Sequence, residues 1–432
     1  MITDPRSVIQ RGPMTRFQNI AVVICIALNM LDGFDVLVVA FASSSIAADW
    51  NLSGAQLGIL LSAGLVGMAG GSLFVAPYAD HYGRRTIILL CLGILTTGML
   101  ASSLAQGLLQ LTVLRVYTGL GIGGMLASIG VITAEYSSDK WRSMNVSLQT
   151  TGYPLGATLG GVVAAYLIAH YGWRAAFCFG GLVSAAMFPI VIRSLPESMD
   201  FLLARRPDRA LERVNDLLQR MGREAIAELP PLSTNERPHT GAVRALFGVE
   251  IARSTLLIWS SFFLLMFAFY FIMSWTPRLL VSAGMSAQEG ITGGVLLNVG
   301  GIAGGAAFAW FSSQLSLRPL TYVYLASAAV CTVLFGLFAT SLTTAFLLAV
   351  GIGVFLLGSM AGLYSLAPIL YSAPMRATGM GWAIGIGRMG AILAPLVTGL
   401  LVDAGWTAKN LYVVFAVCLV GAVFTVRAIR AG

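Results

Sequence analysis

The sequence predicts an all-α membrane protein with twelve transmembrane helices, from its composition, its long apolar segments and the pattern of residues within them. Of its 432 residues, 57% are hydrophobic and only 10% are charged, whereas an ordinary soluble domain has about 25% charged residues. Segments of about 20 apolar residues match the ~30 Å hydrocarbon core of a bilayer. Because these segments do not alternate strictly between apolar and polar residues, they are read as helices rather than as the strands of a barrel.

The apolar segments fall into two groups of six, separated by one long polar connection. They lie near 18–43, 54–79, 86–105, 108–135, 143–168, 175–192, 254–281, 289–311, 320–340, 343–370, 379–401 and 411–427. The predicted domains are therefore a six-helix bundle (1–192), a cytoplasmic linker (193–253) and a second six-helix bundle (254–432). Within the linker, Leu211, Val214, Leu218 and Met221 recur at helical spacing, which predicts an amphipathic helix. This helix is either a solvated connection or one that binds an anionic membrane surface.

The basic residues predict how the chain is oriented. An even number of spans puts both termini on one side of the membrane, and outside the linker this side carries Arg6, Arg11, Arg16, Arg84, Arg85, Lys140, Arg142, Arg318, Arg376, Arg427 and Arg430. The opposite side carries Arg174, Arg278 and Lys409. Positively charged loops remain in the cytoplasm, so both termini are expected there and the protein in the inner (plasma) membrane. The same distribution accounts for the net charge of +8 without a nucleic-acid partner.

Cysteine and histidine give no indication of a metal, a cofactor or an enzyme. The five cysteines are scattered singly through apolar segments and the three histidines lie in connecting segments, and no pair has metal-ligand or disulfide spacing. A nucleophile–base pair is not apparent either. We therefore expect no metal, no cofactor and no catalysis. A non-transporting sensor or a membrane enzyme is the alternative class of function.

A charged turn connects predicted helices 2 and 3, in the sequence Ala79-Asp80-His81-Tyr82-Gly83-Arg84-Arg85. An acid followed by Gly-Arg-Arg at this place resembles the signature loop of the major facilitator superfamily. The second half repeats the first at an offset of about 234 residues, with Arg318 at the position of Arg84. The resemblance implies the major facilitator fold, in which two related six-helix bundles open alternately to the two sides around a central site.

Predicted helix 1 carries two carboxylates inside its apolar segment, in Leu31-Asp32-Gly33-Phe34-Asp35. Residues three apart lie on one helix face, and each carboxylate would cost about 2.5–3.5 kcal/mol at the bilayer centre if it were charged and unpaired. At 1.5 Å per residue, Asp32 and Arg115 of helix 4 both lie roughly 21 Å from the cytoplasmic edge. Arg115 is therefore the expected partner of this acid pair, either in a structural salt bridge or beside a carboxylate that titrates.

The Asp-Gly-Phe-Asp motif resembles that of the aromatic acid/proton symporter family within the superfamily. Glu135 at the end of helix 4 and Leu195-Pro196-Glu197-Ser198 after helix 6 fit the same resemblance. It implies benzoate-like substrates and proton coupling through Asp32 and Asp35, with Arg115 beside them. The expected function is proton-coupled import of a small aromatic carboxylate. Because sugar and organic-anion porters share Pro-Glu-Ser, a proton-coupled transporter of another organic anion or of a sugar is the alternative.

Arg388 in predicted helix 11 is the candidate ligand of the substrate carboxylate. It lies near the midplane, and the acids of the second half, Glu289 and Asp403, lie near helix ends. Without an acidic partner, its planar guanidinium is free to bind a carboxylate through two hydrogen bonds. The aromatic residues that could stack on a substrate ring are Tyr270, Trp275, Tyr364 and Trp382. Each of them is also typical of packing or of interfacial anchoring.

A last set of residues predicts gating. They lie at the cytoplasmic ends of helices, where a charge network could latch the two halves together, and they are Asp80, Gly83, Arg84, Arg85, Glu135, Arg142 and Arg376. The expected partners of the protein are thus a small aromatic acid, protons and the lipid bilayer.

Overall fold

A computed structural model describes residues 5–230, 246–248, 251–339 and 341–429 of the chain. Residues 1–4, 231–245, 249–250, 340 and 430–432 lie outside it, and with them part of the predicted linker and Arg430. Across the described ranges the chain is helical, without strands. Twelve of these helices are long and apolar enough to cross a membrane, which confirms the predicted number.

The twelve transmembrane helices are numbered α1 to α12 along the chain. They are Arg16–Trp50 (α1), Gly54–Tyr82 (α2), Arg84–Ser103 (α3), Leu108–Glu135 (α4), Asp139–Tyr171 (α5), Trp173–Ser194 (α6), Ala252–Ser282 (α7), Ala287–Ser312 (α8), Leu317–Phe338 (α9), Leu342–Leu370 (α10), Ala373–Asp403 (α11) and Ala408–Ala428 (α12). Several are longer than the apolar segments that predicted them. Helix α1, for example, continues through three serines after Ala42 and ends where Asn51 adopts a φ of 49°, because hydropathy marks the hydrocarbon core rather than the helix end.

Local sequence signals fix where several of these helices begin. Thr15, Ser53, Ser286 and Ser341 precede α1, α2, α8 and α10, and each side-chain oxygen accepts the backbone N–H three residues later. A hydroxyl at this position satisfies one of the N–H groups that the first helical turn leaves unpaired. These helix starts are thus determined by local capping residues, even where the apolar pattern does not mark them.

Within each bundle, glycines allow helix backbones to touch. A Cβ atom at Gly156 of α5 would strike the carbonyl of Met30 in α1, and one at Gly304 of α8 would strike the carbonyl of Val354 in α10. Small residues permit this close approach, which is the main source of packing energy between helices in a bilayer. The pairs α1–α5 and α8–α10 are therefore closely packed within their respective bundles.

The repeat between the two halves is visible in their hydrogen bonds. Arg142 Nε donates to the carbonyl of Ala134 over 3.2 Å, and Arg376 Nε donates to the carbonyl of Pro368 over 3.1 Å. The two acceptor residues, Ala134 and Pro368, are separated by the same offset of about 234 residues as the two arginines. Each arginine thus binds a carbonyl at the end of the preceding transmembrane helix, α4 in one half and α10 in the other.

Three shorter helices, Pro5–Arg11, Met199–Arg205 and Ala210–Arg220, lie outside the transmembrane set. The last is the helix in the region where the linker pattern predicts amphipathic structure. Its apolar residues Val214, Leu217 and Leu218 are buried. Because the protein itself covers this face, it is not available to a membrane surface in this conformation.

The two bundles meet mainly along the helix pairs α1–α7, α2–α11 and α5–α8. We call the side on which both chain termini lie the terminal side and the opposite one the far side. The close contacts between bundles, such as Phe41 with Gly294 and Gly161 with Val295, lie in the far-side halves of their helices. The conformation is therefore closed on the far side.

Candidate functional site

An ion pair between Asp35 and Arg115 occupies the interior of the first bundle. Arg115 Nη1 lies 2.9 Å from Oδ1 of Asp35 and Nη2 lies 2.7 Å from Oδ2, and Nη2 also donates to the Asp35 carbonyl over 2.9 Å. Both side chains are almost completely buried, and Arg115 lies over the ring of Phe177 at 5.8 Å. A pair with two parallel hydrogen bonds is the geometry in which a buried arginine compensates a carboxylate best. Arg115 thus neutralises Asp35.

Asp32 is in a different situation, although it lies only one turn from Asp35. Its side chain is fully buried, and neither carboxylate oxygen has a hydrogen-bond partner in the part of the chain that the structure describes. An ionised carboxylate without hydrogen bonds in an apolar interior is strongly disfavoured, so the neutral acid is the stable form there. The two aspartates of the motif are therefore chemically unequal: Asp35 is anchored, and Asp32 is unpaired.

The glycine between the two aspartates holds α1 against α5. A Cβ atom at Gly33 would strike the backbone carbonyl of Tyr153, so only glycine allows this approach. The same approach brings Tyr153 within electrostatic range of both Asp32 and Asp35, and also of Tyr270 in the second bundle. Tyr153 is thus electrostatically coupled both to the acid pair and to a residue of the second bundle.

Arg388 lies at the centre of α11 and forms no ion pair or hydrogen bond with any described residue. It lies within electrostatic range of two of the aromatic residues that the sequence singles out, Tyr270 of α7 and Tyr364 of α10. Tyr364 keeps 38% of its surface exposed and packs edge-on against Phe262 at 5.4 Å. A guanidinium without an acid beside two phenol rings can bind an anionic aromatic ligand.

The two tryptophans that the sequence singles out lie apart from Arg388. Trp382 stacks on Trp259 at 5.8 Å and is 47% exposed. At about 100° per residue, it lies about 120° around α11 from Arg388, on the face of the exposed Met389 and Leu400. That face points away from the bundle interior.

Trp275 is completely buried in α7, and its Nε1 has no hydrogen-bond partner among the described residues. It lies about 140° around the helix from Tyr270. The residue one turn before it, Phe271, stacks on Phe415 of α12 at 3.9 Å. Trp275 therefore shares the face that packs inside the second bundle. The structure brings Tyr270, Tyr364 and Arg388 together but not the two tryptophans.

The predicted gating residues form a network on the terminal side of the first bundle. Arg84 Nη2 lies 3.2 Å from Asp80, and Arg84 Nε lies 3.8 Å from Glu135. Glu135 also accepts hydrogen bonds from the Ser198 hydroxyl, over 2.9 Å, and from the Met199 N–H, over 3.0 Å. Among the described residues, all these contacts stay within the first bundle and the start of the linker.

Glu197 of the Pro-Glu-Ser motif explains why the charged turn has its shape. Its Oε1 accepts the N–H groups of Arg84 and Arg85, over 2.8 and 3.1 Å, which are the first two of α3. A carboxylate at this place satisfies unpaired donors at the positive end of the helix. Gly83 has a φ of 97°, and a Cβ atom there would strike Glu197. The positive φ is the main reason for glycine here, since the Glu197 carboxylate could shift to make room.

Three other gating candidates bind backbone carbonyls at helix ends. Arg85 donates to Ile192 at the end of α6, whereas Arg142 and Arg376 make the repeated contacts described above. Arg142 is also paired with Asp139 at 3.1 Å. None of the contacts that the structure describes for these three residues joins one bundle to the other.

The sequence did not single out Tyr153 or Glu197 as site residues. The repeat offers one signal for Tyr153, because an offset of 234 places it at Gly387, next to Arg388. Glu197 was recognised only as part of a motif. Its capping of α3 depends on a contact between segments more than a hundred residues apart, which no local pattern reports.

Comparison with known proteins identifies related chains. Residues 22–373 match the family model of the Major Facilitator Superfamily. The gallate transporter of Pseudomonas putida is 33% identical over 405 residues, covering 93% of this chain and 89% of that protein. The 4-hydroxybenzoate transporter PcaK of Pseudomonas putida is 29% identical over 433 residues, covering 99% of this chain and 96% of that protein.

The fold is also similar to that of solved structures. The inward-open conformation of the xylose transporter XylE from E. coli superimposes with a TM-score of 0.75 at 14% identity, covering 95% of this chain and 96% of that one. This similarity confirms the predicted architecture of two six-helix bundles.

Proposed function

Because this chain belongs to the major facilitator superfamily, we propose that it is a proton-coupled symporter that imports a small aromatic carboxylate by alternating access. The gallate and 4-hydroxybenzoate transporters to which it is similar support the substrate class. The observation that carries the proposal is Arg388, a cation at the middle of α11 that has no partner among the described residues and lies within electrostatic range of two tyrosines.

The substrate carboxylate binds Arg388, and its ring lies against Tyr270 and Tyr364. The guanidinium supplies two parallel hydrogen bonds to a carboxylate, and the phenol rings supply edge-on or offset contacts to an aromatic ring. A sugar lacks the charge that Arg388 would compensate. The unpaired cation therefore favours an anion over the sugar alternative.

Asp32 carries the coupling proton, while Asp35 remains ionised in its pair with Arg115. Asp32 is buried without a hydrogen-bond partner in the described structure, which suits the protonated acid. It becomes a proton donor when water or the substrate reaches it, since a hydrated or hydrogen-bonded carboxylate tolerates its charge. Tyr153 is within electrostatic range of both Asp32 and Tyr270, so it can couple the proton site to the substrate site.

Alternation requires that the terminal and far sides open in turn. The terminal side is the cytoplasm, because it carries most of the basic residues in the short loops, and the protein lies in the inner (plasma) membrane. Asp80, Arg84 and Glu135 then form the network that rearranges when the cytoplasmic side closes. The observed conformation, closed on the far side, is the one from which substrate leaves for the cytoplasm.

Uptake into proteoliposomes tests the proposed substrate class. When the external solution is more acidic than the lumen, we expect accumulation of benzoate or a hydroxybenzoate beyond that in protein-free liposomes, and no such excess for xylose or benzamide. Benzamide is the matched control, since it keeps the ring but lacks the carboxylate that Arg388 binds. Equal uptake of the amide would contradict the role of Arg388, and uptake of the sugar alone would establish the alternative function.

A further inference from the structure

The far side of the structure is held closed by a carboxylate of one bundle on a helix of the other. Asp403 is the last residue of α11, and its Oδ1 accepts the N–H of Gly54 over 2.5 Å. Its Oδ2 accepts the N–H of Ala55 over 2.8 Å. These two N–H groups open α2, so they have no partners within that helix and mark its positive end.

Around Asp403, the backbones of α2 and α11 are in direct contact. A Cβ atom at Gly54 would lie 2.6 Å from the carbonyl oxygen of Gly399, and one at Gly58 would strike the carbonyl of Pro395. One turn further, the hydroxyl of Ser62 donates to the carbonyl of Ile392 over 2.8 Å. These contacts exist only while α2 and α11 touch.

Within the described residues, the hydrogen bonds that join the two transmembrane bundles are those of Asp403 and Ser62. All of them lie in the far-side halves of α2 and α11. On the terminal side, the Asp80 carboxylate contacts Arg84 of its own bundle and its backbone carbonyl accepts from Arg205 of the linker. Among the described residues, Asp403 therefore makes most of the polar connection between the bundles.

We propose that Asp403 is the far-side latch of this protein, which stabilises the far-side-closed conformation and is released whenever that side opens. The inference rests on the proposed alternating access, because the latch has a function only if α2 and α11 separate. Asp403 would then set the ratio of the far-side-closed to the far-side-open conformation. An interaction present in only one of two states shifts their populations by its own differential free energy.

Distance measurements between the far-side ends of the two bundles test this proposal. Spin labels at Gln106→Cys and Lys409→Cys, which are exposed far-side positions of the two bundles, are placed in a background without the native cysteines. In lipid nanodiscs, Asp403→Ala is expected to raise the ratio of long to short distances roughly five- to ten-fold, the scale of one or two exposed charge-assisted contacts at a helix terminus. Ser62→Ala, which removes the other connection, should shift the ratio in the same direction by less.

Glu289→Gln is the matched control. Glu289 is also a far-side carboxylate that accepts a helix-end N–H, that of Ser286 over 2.7 Å, but this contact lies within one bundle. The ratio should therefore remain at the parent value. If Asp403→Ala leaves the distances unchanged, or shifts them no more than Glu289→Gln does, Asp403 is not a latch. The measurement needs no substrate, so its outcome is independent of which compound is transported.

Discussion

Replacing Asp32 by asparagine is expected to abolish the pH-driven accumulation of an aromatic acid that exceeds the passive accumulation in protein-free liposomes. Asparagine keeps the shape of the neutral acid but cannot release a proton, and Asp32 is the carboxylate of the motif that has no hydrogen-bond partner among the described residues. Exchange of labelled for unlabelled substrate needs no net proton movement, so it should continue at a rate within a few-fold of the parent. Counterflow and pH-driven uptake in the same proteoliposomes measure the two activities.

Asp35→Asn is the informative comparison, because it changes the other aspartate of the same motif. It leaves Arg115 as a buried cation without its partner, which costs about 3–5 kcal/mol in similar buried pairs. We therefore expect Asp35→Asn to lower thermal stability strongly, whereas Asp32→Asn leaves it nearly unchanged. If Asp32→Asn still accumulates substrate beyond the level in protein-free liposomes, Asp32 is not the proton carrier and Glu135 is the next candidate.

Replacing Arg388 by lysine is expected to weaken binding of the aromatic carboxylate by about 1.5–3 kcal/mol, the scale of a hydrogen bond to a charged group. Lysine keeps the positive charge but lacks the planar fork that binds both carboxylate oxygens. Equilibrium binding to purified protein measures the loss directly. It should be accompanied by a smaller difference in affinity between the carboxylate and its amide.

Arg278→Lys is the control for this substitution. Arg278 lies towards the far-side end of α7, eight residues beyond Tyr270, and so its replacement should leave the affinity unchanged. Parent-like affinity in Arg388→Lys would place the substrate carboxylate elsewhere in the protein.

The number of helices and the division into two bundles were predictable because they depend on composition along the chain. Apolar length and the single long connection report these features directly. Helix ends were less accurate, since caps such as Thr15 and Ser53 lie outside the apolar segments. Hydropathy does not register a hydroxyl that accepts one hydrogen bond.

The acid pair shows where the sequence stops being sufficient. Depth along the helices placed Arg115 at the level of the two aspartates, but it could not tell which of them is the partner. Side chains three residues apart differ in direction by about 60°. Because of this difference Asp35 pairs with the arginine, whereas Asp32 has no partner within the described part of the chain. Only the packing of α1 against α4 resolves it.

Contacts between distant segments explain what else the sequence does not predict about the site. Asp403 was interpreted as a peripheral acid, yet it binds the start of α2, a contact across about 350 residues. Trp275 and Trp382 were grouped with Tyr270 and Tyr364 because all four are aromatic and lie in transmembrane helices. Their helical faces separate them, since Trp382 shares its face with exposed apolar residues and Trp275 packs within the second bundle.

Proton movement caused by the substrate is the most direct test of the central claim. Proteoliposomes containing a pH-sensitive dye, with equal pH on both sides, are exposed to an external hydroxybenzoate. The account predicts acidification of the lumen together with uptake, beyond the passive change in protein-free liposomes, and loss of this excess in Asp32→Asn. Protein-dependent uptake without excess acidification would contradict proton symport.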